Sequence, residues 1–128
     1  LLLRRFNTGY KDGNYSMIAG HVDPRETFTE CVIREAMEEG GIIIKPEHLT
    51  VAHVMHRDAW EGYSERIDIF FVADHRQWTI ENKEPDKCDD LSWFDLENIP
   101  DNTIPYIKQA ISCIREKIFY SEYWRKQK

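Results

Sequence analysis

The chain has 128 residues, enough for one domain with a real hydrophobic core, and its 41% apolar and 31% charged residues fit a globular protein rather than a disordered one. With 23 acidic residues against 17 lysines and arginines the net charge is −6, which argues against a protein that tracks nucleic-acid backbones. A small anionic ligand fits such a surface only with a cation as intermediary.

Leu1 to Phe6 is a predicted strand, and its apolar run meets Arg4-Arg5 too soon for a signal sequence or a membrane span. The chain opens without Met inside that run, so further residues are expected before Leu1. Asn7 to Asn14 carries the Gly, Asp and Asn of a turn, and Tyr15 to Ala19 reads as a short strand leading into Gly20. Thr27-Phe28-Thr29-Glu30 is a capping-box pattern that starts a helix, and Gly40-Gly41 stops it. Ile42-Ile43-Ile44 reads as a short buried strand closed by Lys45-Pro46.

Thr50 to Arg57 and Glu65 to Ala73 are longer strands joined by the loop 58–64. In the second, Phe70-Phe71-Val72 is continuous, as for a strand entering a core. A polar loop over Gln77 to Asp90 precedes a strand at Leu91 to Phe94. Ile107, Ile111, Ile114 and Ile118 stand at helical spacing within a final helix, Ile104 to Phe119. There is no repeat or linker, so one domain over 1–128 is expected, with helices packed on a mixed sheet. Cys31, Cys88 and Cys113 are odd in number, far apart and without metal-ligand spacing. They point to free thiols in a reducing, cytoplasmic setting.

The first helix carries the chemistry. At 100° per residue Glu35, Glu38 and Glu39 fall within an arc of roughly 100°, while Val32, Ile33, Ala36 and Met37 are expected to give the buried side. Like charges at i,i+3 and i,i+4 repel, and anions in the last turn oppose the helix dipole. A hard cation removes both objections: Mg²⁺ takes oxygen ligands and bridges carboxylates to substrate phosphates. Arg34 is placed to orient a glutamate through a bidentate hydrogen bond, and the carbonyl of Gly20 to add an oxygen ligand. A merely solvated glutamate face is the competing reading of EAMEE.

The placement of these residues resembles the Nudix box, G-x5-E-x7-R-E-U-x-E-E-x-G-U with U apolar. Here it reads Gly20, Glu26, Arg34, Glu35, Ala36, Glu38, Glu39, Gly41 and Ile42, without departure, a chance match of roughly 10⁻⁷ for a chain this long. LLLRR, NTGYKDGNY and LSWFDLENIP are also similar to segments that flank the box in nucleotide-hydrolysing members.

The resemblance implies an α/β/α sandwich around a mixed sheet and cleavage of a diphosphate linked to another moiety, with Mg²⁺ or Mn²⁺. Carried over by position, Glu35, Glu38 and Glu39 bind metal, Arg34 orients Glu35, and Glu26 braces the loop–helix structure. Glu35 is the choice for activating water. Many members draw a further glutamate from outside the helix, often five residues before the next strand's Trp, where this chain has Cys88. Glu84, rather than Glu81, is the expected substitute, with a solvated loop acid as its competing role. Related sequences often read PGG where this one has Ile18-Ala19-Gly20.

Arg4, Asn7 and His21 are candidate substrate contacts. Trp60, Trp78, Tyr10, Tyr15 and Tyr63 offer faces that suit nucleobases, and each also fits a core or rim role. His53, His56 and His75 lack metal-ligand spacing and read as strand or surface residues. The expected substrate is a small nucleotide, most directly a nucleoside triphosphate, oxidised nucleotides included, split to monophosphate and pyrophosphate by a monomer or homodimer. ADP-ribose or a nucleotide sugar is the alternative within the class. A non-catalytic nucleotide-binding module and RNA cap removal are the alternatives outside it, and neither nucleic acid nor membrane is an expected partner.

Overall fold

A computed structural model describes residues 1–59, 62–74 and 78–125. Trp60, His75 and Gln77 therefore lie outside the described residues. The elements in chain order are β1 (Leu2–Arg5), β2 (Tyr15–Ser16), α1 (Phe28–Gly40), a 3-10 turn (Pro46–His48), β3 (Leu49–Arg57), β4 (Arg66–Ala73), β5 (Cys88–Ser92), α2 (Pro105–Arg115) and β6 (Tyr120–Tyr123). This is the mixed α/β class expected.

The strands form two three-stranded sheets. In one, β1 lies between β2 and β5, antiparallel to both, with Leu3 opposite Ser16 and Leu91. In the other, β3 lies between antiparallel β4 and parallel β6, with a register irregularity between Val51 and His53. A parallel bridge from Tyr15 to Thr103 links β2 to the segment that enters α2.

The core sits where both sheets meet α2: Leu2 and Tyr15 from the first sheet, Met55 and Phe70 from the second, and Ile104, Ile107, Ala110 and Ile111 from the α2 segment. Ile107 and Ile111 are buried as their spacing predicts. Two buried polar groups tie the second sheet together. The His53 ring donates from Nδ1 to the Ile118 carbonyl and accepts at Nε2 from the Ser121 hydroxyl, both at 2.7 Å, which fixes β6 to β3. Arg57 pairs in bidentate fashion with Asp68 at 2.5 and 3.2 Å, and its guanidinium lies 3.8 Å from the Tyr106 ring centroid.

α1 begins and ends as its sequence dictates. Thr27 Oγ1 accepts from the Glu30 N–H while the Glu30 carboxylate accepts from the Thr27 N–H, and Gly41 takes the left-handed conformation that favours glycine. Its buried residues are Cys31, Ala36 and Gly40, and Met37 is 42% exposed, so the apolar stripe is rotated from the one expected.

Ile42-Ile43-Ile44 is not a strand. Held between the left-handed turn at Gly41 and the 3-10 turn at Pro46, it pairs with no strand among the described residues, and Ile42 is buried while Ile43 is 67% exposed. The strand expected at Leu91–Phe94 runs instead from Cys88 to Ser92, the span that pairs with β1. The final helix stops at Arg115, because Lys117 turns left-handed at φ 59° and the chain then runs into β6. β2 ends at Ser16, short of Ala19. Phe70 alone of the Phe70-Phe71-Val72 run is buried. No helix among the described residues is long and apolar enough to cross a membrane.

Candidate active site

Arg34 organises the entrance to α1. Its Nε and one terminal nitrogen grip the Glu26 carboxylate at 2.8 and 3.0 Å, and the latter nitrogen also donates to the His21 carbonyl at 3.2 Å. The other terminal nitrogen reaches Glu35 at 2.7 Å and Glu38 at 3.2 Å. The guanidinium and the Asp23 N–H pull the Glu26 carboxyl down to about 2 from 4.5, and the guanidinium is itself held charged by its acidic neighbours. Glu26 thus closes the loop 20–26 onto α1, a geometry suited to bracing.

The far end of α1 behaves differently. Glu39 accepts the Ala19 N–H at 3.2 Å but forms no ion pair among the described residues. Burial first, then the neighbouring Glu35, pushes its carboxyl up to about 8. Glu35 shifts upward too, because burial outweighs its bond to Arg34. Gly20 lies directly against Glu35: a Cβ added there would overlap the carboxylate.

These glutamates line a cleft of about 500 Å³ together with Glu84. Of the two acids weighed outside the helix, Glu81 forms a surface ion pair with Lys83 at 2.8 Å, and Glu84 is the one brought to the carboxylates. Glu84 contributes to the upward shifts of both Glu35 and Glu39.

β1 and the turn after it supply the other wall. Leu3, Arg5, Asn7 and Thr8 face the cleft, as do Lys87 and Cys88 at the start of β5. Asn7 is held at φ 55°, a left-handed conformation that asparagine tolerates. Arg4, named as a substrate contact, is not among the lining residues. Alternation along β1 sends it to the opposite face from Leu3 and Arg5, where it pairs with Asp89 at 2.7 Å. His21 is exposed and meets the site through its carbonyl on Arg34 rather than as a cleft-lining side chain.

Sequence reasoning missed Arg5 and Lys87. The period of two running from Leu3 to Arg5 was the available signal for the first, and nothing in the local sequence marks the second. Among the other aromatic candidates, Tyr15 is a core residue, and Trp78 donates to the Ile43 carbonyl at 3.1 Å.

Among the described residues no three His, Cys, Asp or Glu side chains stand close enough to hold a metal as they are placed, since Arg34 draws Glu35 and Glu38 onto its guanidinium. The donor set nonetheless suits a hard cation: carboxylate oxygens at one helix end, one of them half-buried and in no ion pair among the described residues, beside a glycine whose lack of a side chain leaves room for Glu35.

A helix that gathers glutamates under one arginine, set beside a mixed α/β core, defines a class, and the chain belongs to the NUDIX family: the NUDIX domain model matches residues 1–112. It is 31% identical over 122 residues to the NAD-capped RNA hydrolase NudC of Chromobacterium violaceum, covering 91% of this chain and 43% of that protein. It is 33% identical over 100 residues to the ADP-ribose pyrophosphatase of Methanocaldococcus jannaschii, covering 78% of this chain and 56% of that one. The chain therefore spans little more than half, or less, of these relatives' length. In fold it is similar to the MutT NUDIX hydrolase of Burkholderia pseudomallei, with a TM-score of 0.76 at 23% identity over 87% of this chain and 84% of the other. Nudix hydrolases generally use divalent metal ions.

Proposed function

We propose that this chain hydrolyses the diphosphate linkage of a nucleotide whose diphosphate is joined to a second moiety, in a reaction dependent on Mg²⁺. The observation that carries this reading is the cleft itself, where Glu35, Glu38, Glu39 and Glu84 face the same space as Arg5 and Lys87. Carboxylates alone would repel a diphosphate, and cations alone would bind it without activating water. Both together suit a phosphate held beside a metal.

Glu35, Glu38, Glu39 and the carbonyl of Gly20, with Glu84, would hold the cation. When bound, such an ion neutralises charge on phosphate oxygens and lowers the pKa of water. Arg34 orients Glu35 through the 2.7 Å hydrogen bond and Glu26 braces Arg34. Glu35 takes the proton of the attacking water. The water oxygen bonds to phosphorus, the bridging P–O bond breaks, and its electron pair leaves on the departing phosphate. Arg5 and Lys87 balance the charge of the phosphates and Asn7 contacts the substrate beside them.

The relatives' names, NAD-capped RNA hydrolase and ADP-ribose pyrophosphatase, favour ADP-ribose or an NAD-type diphosphate as the substrate. A second reading is a nucleoside triphosphate split to monophosphate and pyrophosphate, which would offer the same phosphates to the carboxylates, Arg5 and Lys87 of the cleft. The test is product identification by mass spectrometry in ¹⁸O-water, with and without Mg²⁺, across ADP-ribose, NADH, nucleotide sugars, NTPs, dNTPs and 8-oxo-dGTP. Magnesium-dependent release of AMP from ADP-ribose or NADH is the expected result. Pyrophosphate from a triphosphate would select the second reading. Metal and nucleotide binding with no turnover of anything would leave a binding module instead.

A further inference from the structure

Beyond the carboxylates, two loops far apart in sequence bring tyrosines together. Tyr10, in the turn after β1, and Tyr63, in the loop before β4, meet edge to face with ring centroids 6.2 Å apart. Each ring carries a guanidinium: Arg5 lies 5.3 Å from the centroid of Tyr10, and Arg66 lies 4.7 Å from that of Tyr63.

Three features separate this cluster from a patch of core. Tyr63 is 50% exposed, so much of its ring faces water. The loop that carries Tyr10 is rigidly built. Asp12 accepts from the Thr8 N–H, the Thr8 hydroxyl and the Gly9 N–H, while Arg5 donates to the Tyr10 carbonyl at 2.6 Å and to the Thr8 hydroxyl at 3.0 Å. The third feature is Arg5 itself, which lines the cleft with the glutamates and also carries the Tyr10 ring. The aromatic pair is therefore one side chain away from where the diphosphate is placed.

We propose that Tyr10 and Tyr63, flanked by Arg5 and Arg66, form a nucleobase platform beside this cleft, with the base stacking on the water-facing ring of Tyr63. The proposal rests on the nucleotide reading above and adds where the base goes. Every nucleobase offers a π-face, so the platform selects for a base without reading its edges. Guanidinium groups over the rings strengthen such stacks and draw the attached phosphate toward Arg5. A tyrosine pair that only fastened two loops together would need neither the exposed ring nor the second arginine.

The experiment is direct binding of a fluorescent mononucleotide, 1,N6-ethenoadenosine 5′-monophosphate, by anisotropy, beside ribose 5-phosphate by calorimetry. Tyr63→Ala is expected to weaken the etheno-nucleotide about tenfold and leave ribose 5-phosphate unchanged. Tyr63→Phe keeps the ring and is expected to bind as the unaltered protein does. Equal binding of the etheno-nucleotide by Tyr63→Ala, or no binding by the unaltered protein, overturns the platform. So does parallel loss of both ligands with a lowered Tm, which is the mark of a loop fastener. Because nothing is hydrolysed in this assay, its result is independent of whether the cleft is catalytic. Glu38→Gln, expected to abolish turnover and keep etheno-nucleotide binding, separates the two.

Discussion

The two ends of the loop–helix segment 20–41 treat the same functional group in opposite ways. At the entrance, Glu26 lies in the grip of Arg34 and its carboxyl is drawn down to about 2. At the exit, Glu39 is half-buried beside other glutamates, accepts the Ala19 N–H, and has its carboxyl pushed up to about 8. The first arrangement is what folding favours: charge paired, loop closed, arginine fixed. The second opposes folding, since it gathers like charges where the helix dipole is also negative. On the proposed function, the difference separates scaffold from chemistry within one short motif.

The comparison breaks most sharply at Glu39. Replacing it with Gln removes the half-buried charge but keeps the shape. Metal-free Glu39→Gln is expected to melt higher than the unaltered protein at pH 8, by calorimetry, while Mg²⁺-dependent turnover falls by roughly a hundredfold or more, beyond what outer-shell partners cost. Unchanged turnover would remove Glu39 from the site.

Gly20→Ala comes next. Its Cβ would collide with the Glu35 carboxylate, the movable end of a side chain, so the backbone survives and the carboxylate is displaced. Circular dichroism should be unaltered while kcat drops by about tenfold, a loss typical of disturbed support around a metal centre.

The smallest effect is in the pH dependence of stability. Glu39 titrates near 4.5 when unfolded and near 8 when folded, so the folded state binds the extra proton, and that contribution is lost as pH rises from 4.5 toward 8. Glu26 runs the other way: its contribution is present above 4.5 and lost as pH falls toward 2. Melting followed with a chelator present should show Tm declining on both limbs. Added Mg²⁺ should raise Tm more at pH 8 than at pH 5 by favouring the charged carboxylates.

Most of this contrast is legible in the sequence, because the capping box, the glycine stop and the arginine-glutamate spacing are local signals. The features that were not legible depend on pairing between distant segments. Arg5 and Arg4 are adjacent arginines, and only the placement of β1 between β2 and β5 decides which one meets the cleft. Ile42-Ile43-Ile44 has strand composition but no partner strand among the described residues. Residues 116–119 read as more helix until the left-handed turn at Lys117 ends it, and β6 takes shape only through its parallel pairing to β3. Glu84 was separable from Glu81 only weakly, since ENKEPDKC holds two similar acids and the fold chooses between them.

The pairing of Leu3 with Leu91 has a kinetic consequence. Glu35, Glu38 and Glu39 belong to a helix that can form from local contacts, whereas the wall with Arg5 and Lys87 needs β1 and β5, far apart in the sequence, to find each other. Closing so long a loop is slow compared with coiling a helix. During refolding, helical ellipticity should therefore return before nucleotide binding does, and a ligand added early would find the acids assembled and the cleft not yet made.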